Sequence, residues 1–262
     1  MRDILFDIVA HKRKEVAQQK KALSPKELYA LVEEKMANKP KRSLANALKG
    51  SPCGIIAEFK RKSPSKGWIN ADAKVEEIIP QYIKNGAAGL SILTDEHYFG
   101  GTSEFIRSAR DISQIPILRK DFIVDEYQLF QSCEMGADAI LLIASCLSVK
   151  ECQQFIRIAH DLQLDVLLEI HSTSELPYAE LDADMIGVNN RNLGSFVTDV
   201  KNSFELVDQL PKDKVKVSES GISNPQVLRD LKEAGFEGFL IGEHFMREDN
   251  PGNALHYLIS AI

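Results

Sequence analysis

Charged and amide side chains stand repeatedly at the ends of short apolar runs in this 262-residue sequence. Such runs are typical of buried parallel strands, and packing explains poorly a charged group that appears only where a strand leaves the core. In a (β/α)₈ barrel all strand ends meet at one rim, where the active site is built. Their types indicate proton transfer and anion binding. The residues at these strand ends are Glu58, Lys60, Lys120, Glu169, Asn189, Arg191 and Ser220.

Lys120 and Glu169 are the side chains best placed for acid–base chemistry. Lys120 shares strand parity with Leu118, and Glu169 shares it with Leu167, so both are expected to point into the barrel. An isolated inward lysine is costly unless it is paired or functional. Facing one another, the two groups could exchange protons with a substrate, and Lys120 could also be a Schiff-base nucleophile. Alternatively, Glu169 serves only as a charge partner for Lys60 or Lys120.

Glu58 and Lys60 are two residues apart on one predicted strand and therefore project to the same face. Taken alone, they could form a structural ion pair. The loop that follows, residues 62–67, contains two serines, two lysines and a glycine, which are donors suited to a phosphate or a carboxylate. We therefore expect Glu58 and Lys60 to be functional, and Ser63 to bind phosphate.

Asn189 and Arg191 are again two residues apart. Arginine can hold a carboxylate in two-point contact and asparagine can donate or accept a hydrogen bond, although both residues could simply lie in a surface loop. Gly221 and Gly242 follow the last two predicted strands, where such barrels commonly bind phosphate at the N-terminus of a short helix. Together with Ser63 they predict one phosphate cage.

The chain around these residues alternates between strands and helices, and three segments repeat one design. Residues 85–90, 135–140 and 234–239 each end a helix at glycine and then lead into an apolar strand. Repeated joints of this type predict βα topology, and eight units favour a closed (β/α)₈ barrel. The predicted strands are 54–59, 89–93, 115–120, 139–144, 165–170, 185–189, 214–218 and 238–241. The predicted helices cover about 72–85, 103–111, 125–135, 148–163, 173–180, 200–209 and 224–234, with a last helical stretch near the C-terminus.

Residues 1–50 are predicted to be a helical extension of a single barrel domain that spans residues 1–262. Residues 3–35 carry an apolar face and a basic face, and Ser24 is the N-cap at which a second helix begins. A basic run at 35–42 precedes a short helix at 43–48, which ends at Gly50. We interpret the basic face, which includes Lys12, as a solvated surface. Alternatively, the extension packs across one mouth of the barrel and contributes to the substrate site.

Composition limits the classes of partner. The net charge of −6 argues against a nucleic-acid or anionic-membrane surface as the principal partner. No stretch reaches the ~18 apolar residues that a membrane helix needs. The four cysteines and six histidines lack metal-binding spacing, and no nucleotide-binding glycine motif occurs, so neither a metal nor a nucleotide cofactor is predicted. Without a signal peptide, we expect a cytoplasmic protein with reduced thiols.

Seven ordered motifs of this chain resemble those of the indole-3-glycerol phosphate synthase family of tryptophan biosynthesis. The likeness covers nearly the whole chain, including the helical extension. The motifs are IAEFKRKSPSKG at 56–67, SILTD at 91–95 with FGG at 99–101, LRKDF at 118–122, LEIH at 168–171, GVNNRNL at 187–193, SESGI at 218–222 and LIGE at 240–243. Because they occur in order and match in character, the resemblance is highly specific.

The resemblance implies a carboxy-lyase that needs no cofactor. Its substrate would be 1-(2-carboxyphenylamino)-1-deoxyribulose 5-phosphate, a small molecule that joins a phosphosugar to anthranilate. Its products would be indole-3-glycerol phosphate, CO₂ and water. We expect the protein to be a monomer or a weak homo-oligomer, with no nucleic-acid or membrane partner.

Family roles carry over by position. Lys120 resembles the general acid that protonates the substrate carbonyl, and Glu169 the acid/base partner in dehydration. Lys60 would bind the substrate carboxylate or assist proton transfer, with Glu58 beside it in the catalytic group. Groups that orient the ring and the sugar hydroxyls would be Glu58, Asn189, Arg191 and Ser220. The phosphate would be held by Ser63, Gly221, Gly242 and the backbone N–H of Glu243, and apolar surface for the aryl ring would come from Phe59, Phe99 and Phe122.

Two other functions are compatible with parts of this pattern. A Schiff-base aldolase that uses Lys120 would form a covalent adduct with a carbonyl substrate, which borohydride would trap. A phosphosugar-binding barrel without catalysis would not need both Glu58–Lys60 and Lys120–Glu169, so their presence disfavours it. Glu243 stands where a serine also serves in the family, and its side chain must therefore turn away from the phosphate.

Overall fold

The structure is a computed structural model, and it describes residues 4–37, 40–192, 194 and 197–262. Four sequence predictions extend beyond these residues. Outside the described residues lie the first residue of the helix predicted at 3–35, residues 38–39 of the basic run at 35–42, and the last residue of the motif at 187–193. The predicted domain at 1–262 also includes residues 1–2 and 195–196, which lie outside them as well.

A closed parallel barrel is the centre of the fold, as the sequence predicts. Within the described residues, β1 pairs with β10 and the remaining barrel strands follow in the order β9, β8, β7, β6, β5 and β4, which returns to β1, while β2 and β3 form a separate hairpin. The strands are β1 (Ile55–Phe59), β2 (Lys62–Ser63), β3 (Gly67–Trp68), β4 (Gly89–Leu93), β5 (Ile117–Lys120), β6 (Ala139–Ile143), β7 (Asp165–Ile170), β8 (Met185–Asn189), β9 (Val215–Glu219) and β10 (Gly238–Ile241).

Helices surround the barrel and connect its strands. In the part of the chain that the structure describes they are α1 (Ile4–Ala22), α2 (Pro25–Met36), α3 (Leu44–Gly50), α4 (Val75–Lys84), α5 (Glu96–Phe99), α6 (Ser103–Ile112), α7 (Tyr127–Met135), α8 (Val149–Asp161), α9 (Leu176–Ala179), α10 (Lys201–Leu206), α11 (Pro225–Glu233), α12 (Glu243–Met246) and α13 (Pro251–Ser260). The helix joints confirm the repeated design, because Gly86, Gly136 and Gly235 all have positive φ angles that favour glycine.

Alternate residues of each strand divide between two apolar layers. On β1, Ile56 packs inside the barrel, whereas Ile55, Ala57 and Phe59 pack outward against the helices. A parallel strand that is buried on both faces must be apolar along its whole length, which explains the continuous apolar runs of the sequence. The same parity directs Glu58 and Lys60, two and four positions after Ile56, toward the barrel axis.

Strand ends differ from the sequence predictions by a few residues. Strand β5 begins at Ile117 rather than 115, because Pro116 has no N–H to contribute to the ladder. Strand β9 extends to Glu219, one residue beyond the predicted end at 218. The helix predicted at 173–180 is a 3₁₀ turn at Thr173–Glu175 followed by α9. The predicted N-cap at Ser24 is confirmed, with a capping box to Glu27.

The extension closes the N-terminal end of the barrel through α3. Leu44 and Leu48 belong to the apolar layer inside the barrel, and Gly89 and Gly238 provide the space for them at the first residues of β4 and β10. Asp165, the first residue of β7, accepts hydrogen bonds from the hydroxyl of Ser43 and the N–H of Ala45, at 2.8 and 3.0 Å. The start of α3 is therefore tied to the barrel it seals.

Helix α1 lies across the opposite rim, and a buried lysine holds it there. The ammonium of Lys12 lies 2.9 Å from Asp95, 3.0 Å from Asp121 and 3.0 Å from Glu15. Burial acts to lower the pKa of Lys12, but the three carboxylates outweigh it and raise that pKa above its usual value. The interpretation of Lys12 as part of a solvated face is wrong, because α1 packs across one mouth of the barrel.

We predict that Lys12→Met destabilises the fold by about 3–5 kcal/mol, because Asp95 would remain buried without its cation and Asp121 would keep only Arg119. Urea unfolding followed by far-UV circular dichroism measures this change. Lys14→Met, on the exposed side of the same helix, is the matched control and should stay within about 0.5 kcal/mol of the parent. Equal stability of the two variants would contradict the anchoring role of Lys12.

Candidate active site

A cavity of about 760 Å³ opens at the carboxyl ends of the barrel strands. Its walls come from the strand ends, from the loop after β1, and from Ile4, Leu5 and Ile8 on α1. In (β/α)₈ barrels this face carries the active site, and a pocket of this size suits a small-molecule ligand. Most residues selected from the sequence therefore meet in one place, although strand connections separate them along the chain.

Lys120 lies at the centre of the charged groups in this cavity. Its ammonium contacts the carboxylate of Glu219 and lies 3.4 Å from Oε2 of Glu169. Burial acts to lower the pKa of Lys120, but Glu219 and Glu169 outweigh it and raise the pKa above its usual value. Lys120 is therefore a protonated lysine, inward-facing as its parity with Leu118 predicts.

Glu219 is a functional candidate that the sequence reasoning missed. It is the last residue of β9 and lines the cavity, with its side chain buried against Lys120. Burial raises the pKa of Glu219 to about 7, although Lys120 acts in the opposite direction. The signal was present in the sequence, because Glu219 has the same parity as Val217. At this strand end the sequence pattern selects only its neighbours Ser220 and Gly221.

Glu169 has a second cation beside it. Its Oε1 lies 3.0 Å from Nε2 of His171, while its Oε2 faces Lys120. Burial acts to raise the pKa of Glu169, but Lys120 and His171 lower it well below its usual range. Burial acts to lower the pKa of His171, and Glu169 and Glu175 raise it to about 10. At neutral pH Glu169 is therefore ionised.

Glu58 and Lys60 form an ion pair, with 2.5 Å between Oε1 and Nζ, and both side chains line the cavity. The pair is therefore located where it can meet a ligand. Gly242 is the residue that allows Glu58 to lie there, because a Cβ added at Gly242 would clash with the Glu58 side chain. Any substitution of Gly242 consequently disturbs Glu58 as well.

Asn189 and Arg191 also line the cavity, and Arg191 is already paired. Its guanidinium donates to Oε2 of Glu243 at 2.9 Å and to the hydroxyl of Thr198 at 3.2 Å. Oε1 of Glu243 lies 2.6 Å from Arg247. The Glu243 carboxylate is thus held between two arginines, which leaves its backbone N–H as the group it can offer to an anion.

Backbone groups border the region where phosphate binding is predicted. Ser220 and Gly221 both have positive φ angles, and they line the cavity together with Gly242 and Glu243. Glu243 is the first residue of α12, and the first N–H groups of a helix have no partner within it. Gly221, Gly242 and Glu243 therefore border the same cavity, and their binding of phosphate stays a prediction.

Ser63 does not join these groups. It is buried beside the cavity wall and does not line it, and among the described residues its hydroxyl has no hydrogen-bond partner. The next residues of the same loop, Ser65 and Lys66, border the cavity instead. The structure therefore favours Ser65 over Ser63 as a cavity group, whereas phosphate binding by Ser63 stays a prediction.

Two of the three selected phenylalanines line the cavity. Phe99 and Phe122 do so, with ring centroids 6.1 Å apart. The expectation for Phe59 is wrong, because its parity on β1 turns it outward, where it packs edge-to-face on Phe105 at 5.4 Å. The apolar face of α1 supplies the surface that Phe59 does not.

Within the described residues, no group of three or more His, Cys, Asp or Glu side chains is arranged to hold a metal ion, and no helix is long and apolar enough to cross a membrane.

Comparison with known proteins gives consistent matches. The family model for indole-3-glycerol phosphate synthase matches residues 5–258. The indole-3-glycerol phosphate synthase of Bacteroides thetaiotaomicron is 56% identical over 262 residues, covering 100% of both chains. That of Acidithiobacillus ferrooxidans is 42% identical, covering 98% of this chain and 99% of the relative.

Solved structures show the same fold at low sequence identity. Thiamine phosphate pyrophosphorylase from Pyrococcus furiosus has a TM-score of 0.60 at 16% identity and covers 84% of this chain and 97% of its own. The 3-hexulose-6-phosphate synthase from Salmonella typhimurium has a TM-score of 0.63 at 12% identity and covers 79% and 97%. At these identities the likeness extends to the fold alone.

We predict that the Glu219 carboxyl titrates near pH 7, because burial opposes its ionisation. Carbon-13 NMR of glutamate-labelled protein measures this pKa, and the signal is assigned by its loss in Glu219→Gln. Lys120→Met should raise the pKa further, because it removes the adjacent cation. A Glu219 signal that titrates near the ordinary glutamate value of 4.5 would contradict the prediction.

Proposed function

This chain belongs to the indole-3-glycerol phosphate synthase family, carboxy-lyases of tryptophan biosynthesis that act on a small phosphorylated substrate, and we propose which residues of its cavity perform that reaction. The substrate is 1-(2-carboxyphenylamino)-1-deoxyribulose 5-phosphate, which undergoes ring closure, decarboxylation and dehydration to indole-3-glycerol phosphate. The observation that carries the assignment is the protonated Lys120 between Glu169 and Glu219 at the cavity centre.

Lys120 is the general acid of ring closure. As the aromatic carbon that bears the carboxylate attacks the substrate carbonyl, negative charge develops on the carbonyl oxygen. The Lys120 ammonium, held in the cavity by Glu219 and Glu169, stabilises this charge and then protonates the oxygen. The same contacts disfavour a Schiff-base function, because a lysine kept protonated is not a nucleophile.

Loss of CO₂ follows from the new bond. Closure leaves the ring carbon with both a carboxylate and the new carbon–carbon bond, so the ring has lost its aromaticity. When the bond to the carboxylate breaks, its electron pair returns to the ring and CO₂ leaves. Lys60 lies in the cavity beside Glu58 and is the ammonium proposed to bind the carboxylate before this step.

Dehydration needs a base and an acid. Glu169 is ionised, and we assign it the removal of the carbon-bound proton. An ammonium, from Lys120 or Lys60, protonates the departing hydroxyl so that it leaves as water. The positions of Glu58, Asn189, Arg191 and Ser220 on the cavity wall support a role in orienting the anthranilate and sugar groups, and Glu219 joins this set.

The two ends of the substrate require different surfaces. We assign the aryl ring to the apolar wall that includes Phe99, Phe122 and the cavity face of α1. The phosphate is assigned to the backbone N–H groups of Gly221, Gly242 and Glu243, with Ser65 and Lys66 added from the loop after β1. A helix N-terminus and a lysine together favour an anion. The charged catalytic groups lie between these two surfaces.

We also propose that residues 1–262 are a single barrel domain, of which 1–50 is the extension, and that it acts in the cytoplasm as a monomer or a weak homo-oligomer. Its biosynthetic role and its small-molecule substrate support the location. The seal that α3 and α1 make on the two ends of the barrel supports a single domain, because neither helix could bury its apolar face without the barrel.

We predict that Lys120→Ala lowers kcat for indole-3-glycerol phosphate formation by ~10²–10⁴ while phosphate affinity stays close to that of the parent. Product fluorescence measures the rate, and circular dichroism confirms folding. Lys216→Ala, a lysine on the outer side of β9, is the matched control and should keep full activity. Retention of more than about a tenth of kcat by Lys120→Ala would move the acid role to Lys60. A borohydride-trapped adduct at Lys120 would support the aldolase instead.

We predict that inorganic phosphate inhibits competitively, and that Lys66→Ala weakens this inhibition about tenfold, as expected for a lost charged hydrogen bond. Ser65→Ala should weaken it about twofold to tenfold on the same scale. Ser63→Ala is the matched control from the same loop and should leave inhibition unchanged, because Ser63 does not line the cavity. Inhibition that responds to Ser63→Ala but not to Ser65→Ala would restore Ser63 to the phosphate site.

A further inference from the structure

A histidine behind the cavity links two carboxylates at the end of β7. Nε2 of His171 lies 3.0 Å from Oε1 of Glu169, and Nδ1 lies 3.4 Å from Oε2 of Glu175. Their side chains are 12%, 3% and 15% exposed, so the three groups form a nearly enclosed row. Glu169 borders the cavity, whereas His171 and Glu175 do not. His171 can therefore act on a ligand only through Glu169.

The local backbone holds this row in place. After β7 the chain makes the 3₁₀ turn at Thr173–Glu175, which returns Glu175 to the end of the strand. Oε2 of Glu175 accepts a hydrogen bond from the N–H of His171 at 2.6 Å, and the His171 carbonyl accepts one from the amide of Asn202 at 3.1 Å. The backbone of His171 is thus held by hydrogen bonds, and its ring faces the Glu175 carboxylate on the side away from Glu169.

We propose that His171 is a positioning residue whose ring, which lies between Glu175 and Glu169, directs Oε2 of Glu169 toward Lys120. This inference rests on the proposed function, in which Glu169 is the base of dehydration. One oxygen of Glu169 is taken by His171 at 3.0 Å, so the other is directed at Lys120 and the cavity. A carboxylate that is restrained in this way needs no reorganisation before it removes a proton.

Glu169 and Glu219 share one contact but differ in their other neighbours. Both carboxylates are buried, and both contact Lys120. Their pKa values nevertheless shift in opposite directions, downward for Glu169 and upward to about 7 for Glu219. Glu169 has His171 and an Asn189 hydrogen bond beside it, which lower its pKa, whereas Glu219 faces the like charges of Glu169 and Glu58, which raise its pKa.

The sign of the effect of pH follows from this arrangement. A cation beside a carboxyl lowers its pKa, so removing the His171 charge raises the pKa of Glu169 toward its ordinary range. Glu169 would then become protonated at a higher pH, where it could no longer act as a base. The acid limb of kcat/KM should therefore move to higher pH, by about 1–3 pH units for an opposite charge at this distance.

The experiment compares pH profiles of kcat and kcat/KM for the parent, His171→Gln and Glu175→Gln, with product fluorescence as the readout. His171→Gln should lower kcat by at least about tenfold, the lower end of the loss expected when a supporting partner is removed, and should move the acid limb upward. Glu175→Gln, which keeps both His171 and Glu169, should move the limb in the same direction by less. His160→Gln is the matched control, because His160 pairs with Asp184 on the surface, and its profile should not change.

Each outcome bears on a different claim. An unchanged kcat and acid limb in folded His171→Gln overturns the positioning role, and the proposed function still stands if Glu169→Gln is inactive. If His171→Gln does not fold, Glu175→Gln decides, and an unchanged limb there overturns the role. A parent protein that forms no indole-3-glycerol phosphate overturns the proposed function together with this inference. An upward shift that His160→Gln does not share supports the role of His171.

Discussion

A buried ammonium group must be paired with carboxylates, and the pairing of Lys120 is the interaction on which this active site depends. Its partners, Glu169 and Glu219, stand on strands that are 49 and 99 residues further along the chain. Only a closed barrel brings these three strand ends to one rim. Closure therefore does more than bury apolar surface, because it also supplies the countercharges without which an inward lysine would be too costly.

The N-terminal extension covers both ends of the barrel. At one end α3 inserts Leu44 and Leu48 beneath the strands, and at the other α1 lies over the rim and contributes apolar wall to the cavity. Lys12 joins α1 to Asp95 and Asp121, and Asp121 directly follows Lys120 in the chain. The helix that lines the cavity is thus anchored at the residue next to the catalytic lysine in the chain, through a separate cluster of buried charges.

Glu169 and Glu219 are similarly buried, but their neighbours shift their pKa values in opposite directions. Glu169 has the cations Lys120 and His171 and is ionised, whereas burial and like charges raise the pKa of Glu219 to about 7. One site can therefore hold an ionised carboxylate that is ready to act as a base and a second carboxyl whose pKa is raised. This difference arises from the second neighbour of each group, rather than from the contact with Lys120 that they share.

The sequence by itself determined the (β/α)₈ fold, the family, and the inward direction of Lys120 and Glu169, because strand parity and strand-end position depend on local spacing. Tertiary structure decided what local spacing does not contain. Lys12 lies on a helix face that looks basic and solvated, and only docking on the rim buries it. Ser63 and Ser65 are equivalent in sequence, and only the folded loop buries the first while the second lines the cavity. Phe59 is different, because it lies between Glu58 and Lys60, so strand parity alone already turns it away from them. The pairing of Glu219 with Lys120 depends on which strand ends converge, and that is a property of the closed barrel. The pairing of His171 with Glu169 is local to the end of β7, but it needs the folded 3₁₀ turn that brings Glu175 to the other side of the ring.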